Sequence, residues 1–194
     1  MLKTILTISA LLALASVIAT GQRNPEQPKP PKVKPATVFT LPGFQITSLN
    51  EEGWELGVLN DEHVLLGKPG KIASLYLEAK LQKISYGSSD EYIRSLLSPS
   101  RSRFLPLQTD DPNRSDGTII QFKNLTCLQY RDSERVKGTK AYGSKFGSGY
   151  ICPIPGSDSF VIRIEYGGQA IDGYSDLADF KIAEAFFNSL TFTK

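Results

Sequence analysis

The chain has 194 residues, a formal net charge of +2 and a single histidine. One histidine excludes a metal site built on two histidines of the same chain. The excess of positive charge lies near the N-terminus and the remainder is slightly acidic, so we predict no nucleic-acid partner.

The N-terminus has the pattern of a secretory signal peptide. Lys3 supplies a positive start, residues 5–19 are almost entirely apolar, and Ala19 and Gly21 are small residues where signal peptidase requires them. A transmembrane helix needs roughly 20 apolar residues, so this run is short for an anchor, although an uncleaved anchor stays open. We therefore expect a signal peptide over residues 1–21 and a periplasmic or secreted protein.

Residues 22–40 form a basic, proline-rich segment. Five prolines alternate with Arg23, Lys29, Lys32 and Lys34, against the single acidic residue Glu26. Proline at this density favours extended polyproline II structure and predicts a linker. The segment either contacts an anionic surface, such as lipid headgroups or cell-wall polymer, or serves as a solvated spacer.

Residues 41–194 have the length of one domain, and their first half predicts strands followed by a helix. Apolar residues alternate with polar ones over residues 44–49, 54–58 and 75–82, with a short apolar strand over residues 63–66. Ser88 with Glu91 forms a capping box that begins a helix, and Pro99 ends it. Residues 99–117 are predicted to be irregular.

The second half predicts three strands and a closing helix. Strand patterns occur from Thr118 to Tyr130, over residues 150–152 and over residues 160–166. The glycine-bearing residues 132–148 are interpreted as a turn, and Gly167-Gly168 as the end of a strand. Ser175 begins a helix with apolar residues at helical spacing up to Leu190, and residues 191–193 add a short edge strand.

Cys127 and Cys152 are the only cysteines. In an oxidising compartment two cysteines usually pair, and this bridge closes a loop of about 26 residues. The midpoint between them falls near Thr139 and Lys140, so a hairpin centred there would bring the two sulfurs together on neighbouring antiparallel strands. We predict a structural disulfide; the alternative is a reactive thiol with His63 as its base.

The predicted fold class is α+β, with a central antiparallel sheet flanked by helices in an α/β/α sandwich and one disulfide. Three short patches resemble the PsbP-like superfamily, which includes the DcrB-like proteins: Phe44-x-Ile46, Gly53-Trp54 and Phe186-x-x-Ser189-Leu190-x-Phe192. Members have a central antiparallel sheet between helices, so the resemblance implies that fold and a non-catalytic binding or assembly role. Glu52-Gly53 stands where a proline often precedes the tryptophan strand in that group, and no family site residue transfers.

We identify no catalytic residue set, no metal site and no cofactor motif in the sequence. The Gly-x-Ser-x-Gly elbow of serine hydrolases is missing, and no glycine-rich loop opens a helix as in nucleotide-binding folds. A carboxylate pair for glycoside cleavage is conceivable among the acidic residues Glu51, Glu52, Glu55, Asp61 and Glu62.

Two groups of residues are candidates for a ligand or partner surface. Arginine suits phosphate and carboxylate recognition, and the first group lies around residues 99–117: Arg94, Arg101, Arg103 and Arg114. The second group is Tyr166 and Tyr174, which flank a glycine-rich segment and either form a binding rim or close the core.

These observations predict an exported, non-catalytic binding or assembly module whose partner is a protein or an envelope component. The alternative is an envelope hydrolase acting on glycan or ester, which would use His63 or a close pair of acids.

Overall fold

The computed structural model describes residues 29–71, 73–97, 115–137, 142–171 and 183–193. The predicted signal peptide, residues 1–21, and residues 22–28 of the predicted linker lie outside these ranges. In chain order the elements are β1 (Val38–Leu41), β2 (Phe44–Thr47), β3 (Glu55–Asn60), β4 (His63–Lys68), β5 (Ala73–Lys83), α1 (Ser89–Ser95), β6 (Ser115–Phe122), β7 (Leu125–Lys137), β8 (Tyr142–Ile154), β9 (Ser157–Ile171), α2 (Glu184–Asn188) and β10 (Thr191–Phe192).

Seven strands form one antiparallel sheet in the order β3-β4-β5-β9-β8-β7-β6. Two meanders, β3-β4-β5 and β6-β7-β8-β9, are joined where β5 pairs with β9 along its whole length, from Ala73↔Ala170 to Lys83↔Phe160. The β8–β9 hairpin turns at Pro155-Gly156, where proline sets its own φ and Gly156 adopts φ +80°, which favours glycine. The long β5–β9 pairing makes the centre of the sheet from residues far apart in the chain.

A second antiparallel sheet has the order β1-β2-β10. Strands β1 and β2 form a hairpin through Pro42-Gly43, and Phe192 of β10 lies opposite Phe44 of β2. The first strand begins at Val38, within the segment whose composition predicts a linker. Upstream of it, Val33 N donates to the carbonyl of Trp54 (2.8 Å), so the chain follows the edge of β3 before entering the small sheet.

The two faces of the seven-stranded sheet have different covers. The inner face is defined here as the side whose apolar residues, such as Leu77 and Ile164, pack with the three-stranded sheet and with Phe186 and Phe187 of α2. The outer face is the opposite side, where α1 packs on β7, β8 and β9. A smaller apolar cluster joins helix and sheet there, and its buried members are Ile84, Ile93, Leu128, Tyr130, Ile151 and Val161.

The predicted α/β/α sandwich is wrong. Strands dominate the described residues, α1 has seven residues and α2 has five. A three-stranded sheet supplies most of the inner layer that the prediction assigned to helices, while α1 packs only on the β7–β9 side of the outer face. The predicted α1 cap is present, since Ser88 Oγ accepts from Glu91 N (3.2 Å), whereas Ser175, the predicted start of the last helix, lies outside the described residues.

Several glycine-bearing stretches predicted as turns are strands. Strand β7 runs to Lys137, β8 begins at Tyr142, and β9 continues through Gly167-Gly168 to Ile171. The end of the stretch predicted to be irregular is also a strand, because β6 begins at Ser115; residues 98–114 lie outside the described ranges. Glycine occurs within these strands where atoms of adjacent strands leave no room for a Cβ.

The disulfide prediction is confirmed. Strands β7 and β8 pair antiparallel from Leu128↔Ile151 to Lys137↔Tyr142, so the hairpin is centred between residues 139 and 140 as predicted. That register sets Cys127 opposite Cys152, and the bonded pair has a Cα–Cα distance of 4.5 Å, the spacing of directly opposed residues without ladder hydrogen bonds. Both cysteines are fully buried on the inner face.

Candidate functional site

A cluster of polar side chains occupies the outer face at the centre of the seven-stranded sheet. The Glu165 cluster is defined here as Tyr76 of β5, Tyr130 of β7, and Arg163 and Glu165 of β9. Residues two apart on a strand share a face. The register sets Tyr76 opposite Gly167, two residues from the Glu78↔Glu165 pair, so Tyr76 lies on the same face as Glu165. The sheet therefore gathers these residues from three strands.

The Glu165 carboxylate accepts hydrogen bonds from every other member of the cluster. Tyr76 Oη donates to Oε1, while Tyr130 Oη and the Arg163 guanidinium donate to Oε2. Arg163 Nε lies 2.8 Å from Glu165 Oε2 and 2.9 Å from Tyr130 Oη. A buried carboxylate with this set of donors is compensated for the loss of water around it.

Glycines in β8 and β9 make room for these side chains. A Cβ at Gly147 would lie 2.9 Å from Glu165 Oε1, and a Cβ at Gly167 would lie 2.5 Å from the Tyr76 ring. Since Gly147 and Gly167 are directly opposed in the β8–β9 ladder, they form one depression in the outer face that Tyr76 and Glu165 fill. This packing explains why glycine occurs inside strands that its turn propensity argues against.

Burial determines the protonation states of the cluster. Burial raises the pKa of Tyr76 and of Tyr130 well above the usual value, and the negative charge of Glu165 raises both further. Burial by itself lowers the pKa of the Arg163 guanidinium, but Tyr130 and Glu165 raise it, and the net pKa lies above its usual value. At neutral pH both phenols are therefore hydrogen-bond donors and the guanidinium is charged.

His63 and Glu78 form a second polar pair beside the cluster. His63 Nε2 lies 2.8 Å from Glu78 Oε1, and both side chains are largely buried. Burial alone raises the pKa of the Glu78 carboxyl, but the hydrogen bond from His63 and the positive charge of Arg163 lower it more, so the net pKa lies below its usual value. The positive charge of Arg163 thus acts on carboxylates on both sides, Glu78 and Glu165.

The chemistry open to these groups is narrow. A general base or a metal ligand needs an accessible lone pair, whereas Glu165 is buried and both of its oxygens already accept hydrogen bonds from this chain. Within the described ranges no three His, Cys, Asp or Glu side chains are grouped so that they could hold a metal ion. Arg163 is the part of the cluster that reaches solvent, with 38 % of its side chain exposed.

Of the residues that the sequence singled out as a ligand or partner surface, the structure describes two, Arg94 and Tyr166. Arg94 is exposed on α1, where its Nε lies 2.8 Å from Asp90 Oδ2 one turn away. Tyr166 is fully buried on the inner face, as the core alternative requires. The remaining four, Arg101, Arg103, Arg114 and Tyr174, lie outside the described residues, so no contact among the set is seen.

Sequence reasoning missed the Glu165 cluster. Its signal is the strand Ile162-Arg163-Ile164-Glu165-Tyr166, where charged residues alternate with apolar ones in the middle of a long apolar segment. Alternation indicated only that one face was polar, because the partners that bury this face, Tyr76 and Tyr130, come from other strands.

None of the helices in the described ranges is long and apolar enough to cross a membrane.

Comparisons with known proteins give a likeness in structure but no family. No protein-family model matches the chain, and no curated protein matches it. A crystal structure from Bacteroides thetaiotaomicron VPI-5482 is similar with a TM-score of 0.43 and 14 % sequence identity, and the match covers 84 % of this chain and 50 % of that one. The chain therefore spans about half the length of that relative.

Proposed function

We propose that this chain is a periplasmic or secreted, non-catalytic module that binds or assembles with an envelope component. The main support is the state of its buried acid–base groups. Glu165 is held by Tyr76, Tyr130 and Arg163, and Glu78 is held by His63, so these groups stabilise the sheet instead of facing a substrate. The kinship with the PsbP-like superfamily stays a prediction.

The disulfide supports the export part of the proposal. A bridge between opposed, buried cysteines forms and persists in oxidising compartments and is rare in the cytosol. The signal-peptide pattern of residues 1–21 agrees with that compartment.

A partner-binding experiment tests the binding role. Mature protein, residues 22–194, is immobilised and exposed to an envelope fraction of the producing organism, with recovery of a stoichiometric partner as the expected result. Arg101→Ala with Arg103→Ala should reduce that recovery, because the arginine side chain suits an anionic partner. The matched control removes two exposed cations elsewhere, Arg131 and Lys145, by Arg131→Ala with Lys145→Ala. Equal recovery by all three proteins would remove the arginine-rich segment from the proposal.

The basic segment is proposed to contact an anionic surface. At low salt, vesicles containing anionic lipid, or purified cell wall, should sediment more of the mature protein than of a form lacking residues 22–30. High salt should abolish the difference, because exposed charges are screened. Equal sedimentation of both forms at low salt would reject this contact.

Hydrolysis is the second candidate, and one observation favours it. A histidine held by a carboxylate is the base-and-orienter half of a hydrolytic triad, and His63 has that relation to Glu78. If the chain is a hydrolase, p-nitrophenyl acetate should be cleaved above background and His63→Gln should abolish the excess. Cleavage that is unchanged in His63→Gln would exclude this role for the pair.

A further inference from the structure

Two buried hydroxyl groups on the inner face have no hydrogen-bond partner among the described residues. Ser148 of β8 and Tyr166 of β9 are directly opposed in the ladder, and they are 1 % and 0 % exposed. Within the part of the chain that the structure describes, neither Ser148 Oγ nor Tyr166 Oη has a partner, in contrast to the paired hydroxyls of Tyr76 and Tyr130 on the outer face.

Packing alone does not account for these two hydroxyls. Tyr166 lies against apolar neighbours, with the Phe146 ring centroid 6.0 Å from its own, and phenylalanine would fill the same ring space. A buried hydroxyl without a partner loses its hydrogen bonds to water and gains nothing in return, so the free protein would be more stable without it. The sequence nevertheless has such a group on both neighbouring strands.

The charged side chains of Glu51 and Lys68, near Tyr166, are already paired with each other. Lys68 Nζ lies 2.9 Å from Glu51 Oε2, and Trp54 Nε1 donates to Glu51 Oε1 (3.0 Å). Burial and the negative charge of Glu51 raise the pKa of Tyr166 to about 12, so its phenol is neutral at physiological pH. A charged ligand would therefore lack an unpaired counter-charge among these residues, whereas a neutral ligand could hydrogen-bond to the two hydroxyls.

The same ion pair is partly exposed to solvent. Glu51 acts electrostatically on Tyr166, and the Glu51 and Lys68 side chains are 44 % and 30 % exposed. Long charged side chains at a surface change rotamer at little cost, since an exposed ion pair contributes little to stability.

We propose that the Ser148 and Tyr166 hydroxyls are the anchors of a binding site for a small neutral molecule. The guest has a hydroxyl or carbonyl oxygen for Tyr166 and Ser148 and a compact apolar body for the surrounding core. This site is independent of the partner-binding role proposed above, and either can fail without the other.

The test uses mature, disulfide-bonded protein and three neutral probes of increasing size: 2-propanol, cyclohexanol and phenol. Backbone amide signals of Ser148 and Tyr166 are followed in a ¹H–¹⁵N NMR titration. At least one probe should give saturable shifts centred on these residues, weakened at least tenfold in Tyr166→Phe and in Ser148→Ala. Benzene, which is phenol without its hydroxyl, should bind at least tenfold more weakly than phenol, because it leaves the anchors unpaired.

Thermal unfolding in the absence of probe adds a readout that does not depend on choosing the right guest. Tyr166→Phe should raise Tm because it deletes an unpaired hydroxyl, whereas the matched change Tyr76→Phe should lower Tm because it deletes a paired one. The proposal is overturned if no probe gives a saturable response, if Tyr166→Phe binds as well as wild type, or if benzene binds as well as phenol. A lowered Tm for Tyr166→Phe would overturn it too, since the hydroxyl would then have a partner already.

Discussion

The same strands of the seven-stranded sheet bury apolar residues on one face and a charged, hydrogen-bonded cluster on the other. On the inner face, Leu77, Ile164 and their neighbours exclude water against the three-stranded sheet, and the disulfide lies among them. On the outer face, the same β5 and β9 bury Glu165 with Arg163 and two phenols. The comparison teaches that burial in this protein is not restricted to apolar residues, because the outer face pairs the buried carboxylate of Glu165 with three donors, while on the inner face two hydroxyls have no partner among the described residues.

The largest expected effect comes from breaking the outer network at its centre. Glu165→Ala leaves the partly exposed Arg163 guanidinium, the half-buried Tyr76 and the buried Tyr130 without their shared acceptor, so we expect the free energy of unfolding to fall by about 3–5 kcal/mol. Urea denaturation measures it, with Glu62→Ala at an exposed turn as the control. A loss below about 1 kcal/mol would show that the network is not a stabilising element of the outer face.

On the inner face, the disulfide is the feature whose removal should have the next largest effect on stability. Cys127→Ala with Cys152→Ala should lower the free energy of unfolding by roughly 3 kcal/mol, because the unfolded chain gains the entropy of an open loop. Reductant should destabilise wild type by a similar amount and leave the double variant unchanged. Mass spectrometry of the non-reduced protein should show one peptide pair joined through Cys127 and Cys152, and two free thiols would contradict the structure.

A smaller effect tests whether glycine makes the depression that holds the cluster. Gly147→Ala introduces a Cβ 2.9 Å from Glu165 Oε1, and we expect a loss of about 2 kcal/mol from overpacking. In a Glu165→Ala background the same change should have little effect, because the atom it meets is gone. Equal losses in both backgrounds would mean that Gly147 is required for the strand itself and not for its neighbour.

The smallest effect concerns the His63–Glu78 pair. Glu78 has a folded-state pKa below its usual value, so its contribution to stability is present above the unfolded pKa of about 4.3 and is lost as pH falls through the folded value. Wild type should therefore lose stability between about pH 5 and about pH 3 more steeply than His63→Gln, which lacks the charge-assisted bond. Denaturation at each pH measures the slopes, Glu62→Gln is the control, and identical slopes for wild type and His63→Gln would contradict the assignment.

Local patterns predicted some of this structure correctly. The alternation over residues 75–82 lies within β5, the Ser88 cap begins α1, and the spacing of the cysteines placed the β7–β8 hairpin and its bridge. Each of these depends on residues near one another in the chain, or on a symmetry of the sequence about a single turn.

Other features could not be predicted in this way. The three-stranded sheet joins β2 to β10, and Thr47 N donates to Ser189 Oγ across a separation of 142 residues. Gly147 was interpreted as a turn residue and Gly167 as the end of a strand because glycine propensity is local, while their role depends on the side chains of Tyr76 and Glu165 that pack against them. The error in fold class follows from both, since β1 was assigned to the linker and the ends of β7 and β8 to a turn, and the cover of the sheet was assigned to helices.

The sequence by itself determined the pairing of Cys127 with Cys152, the period-two faces of the central strands and the start of α1, because these depend on spacing and on interactions within a few residues. Only the tertiary structure decided which polar residues meet. Tyr76, Tyr130, Arg163 and Glu165 become one cluster, and Ser148 and Tyr166 remain without partners among the described residues, through the register of β5, β7, β8 and β9. A hydrogen bond needs its atoms within about 3 Å, and pairing between distant strands, not local propensity, brings side chains that close.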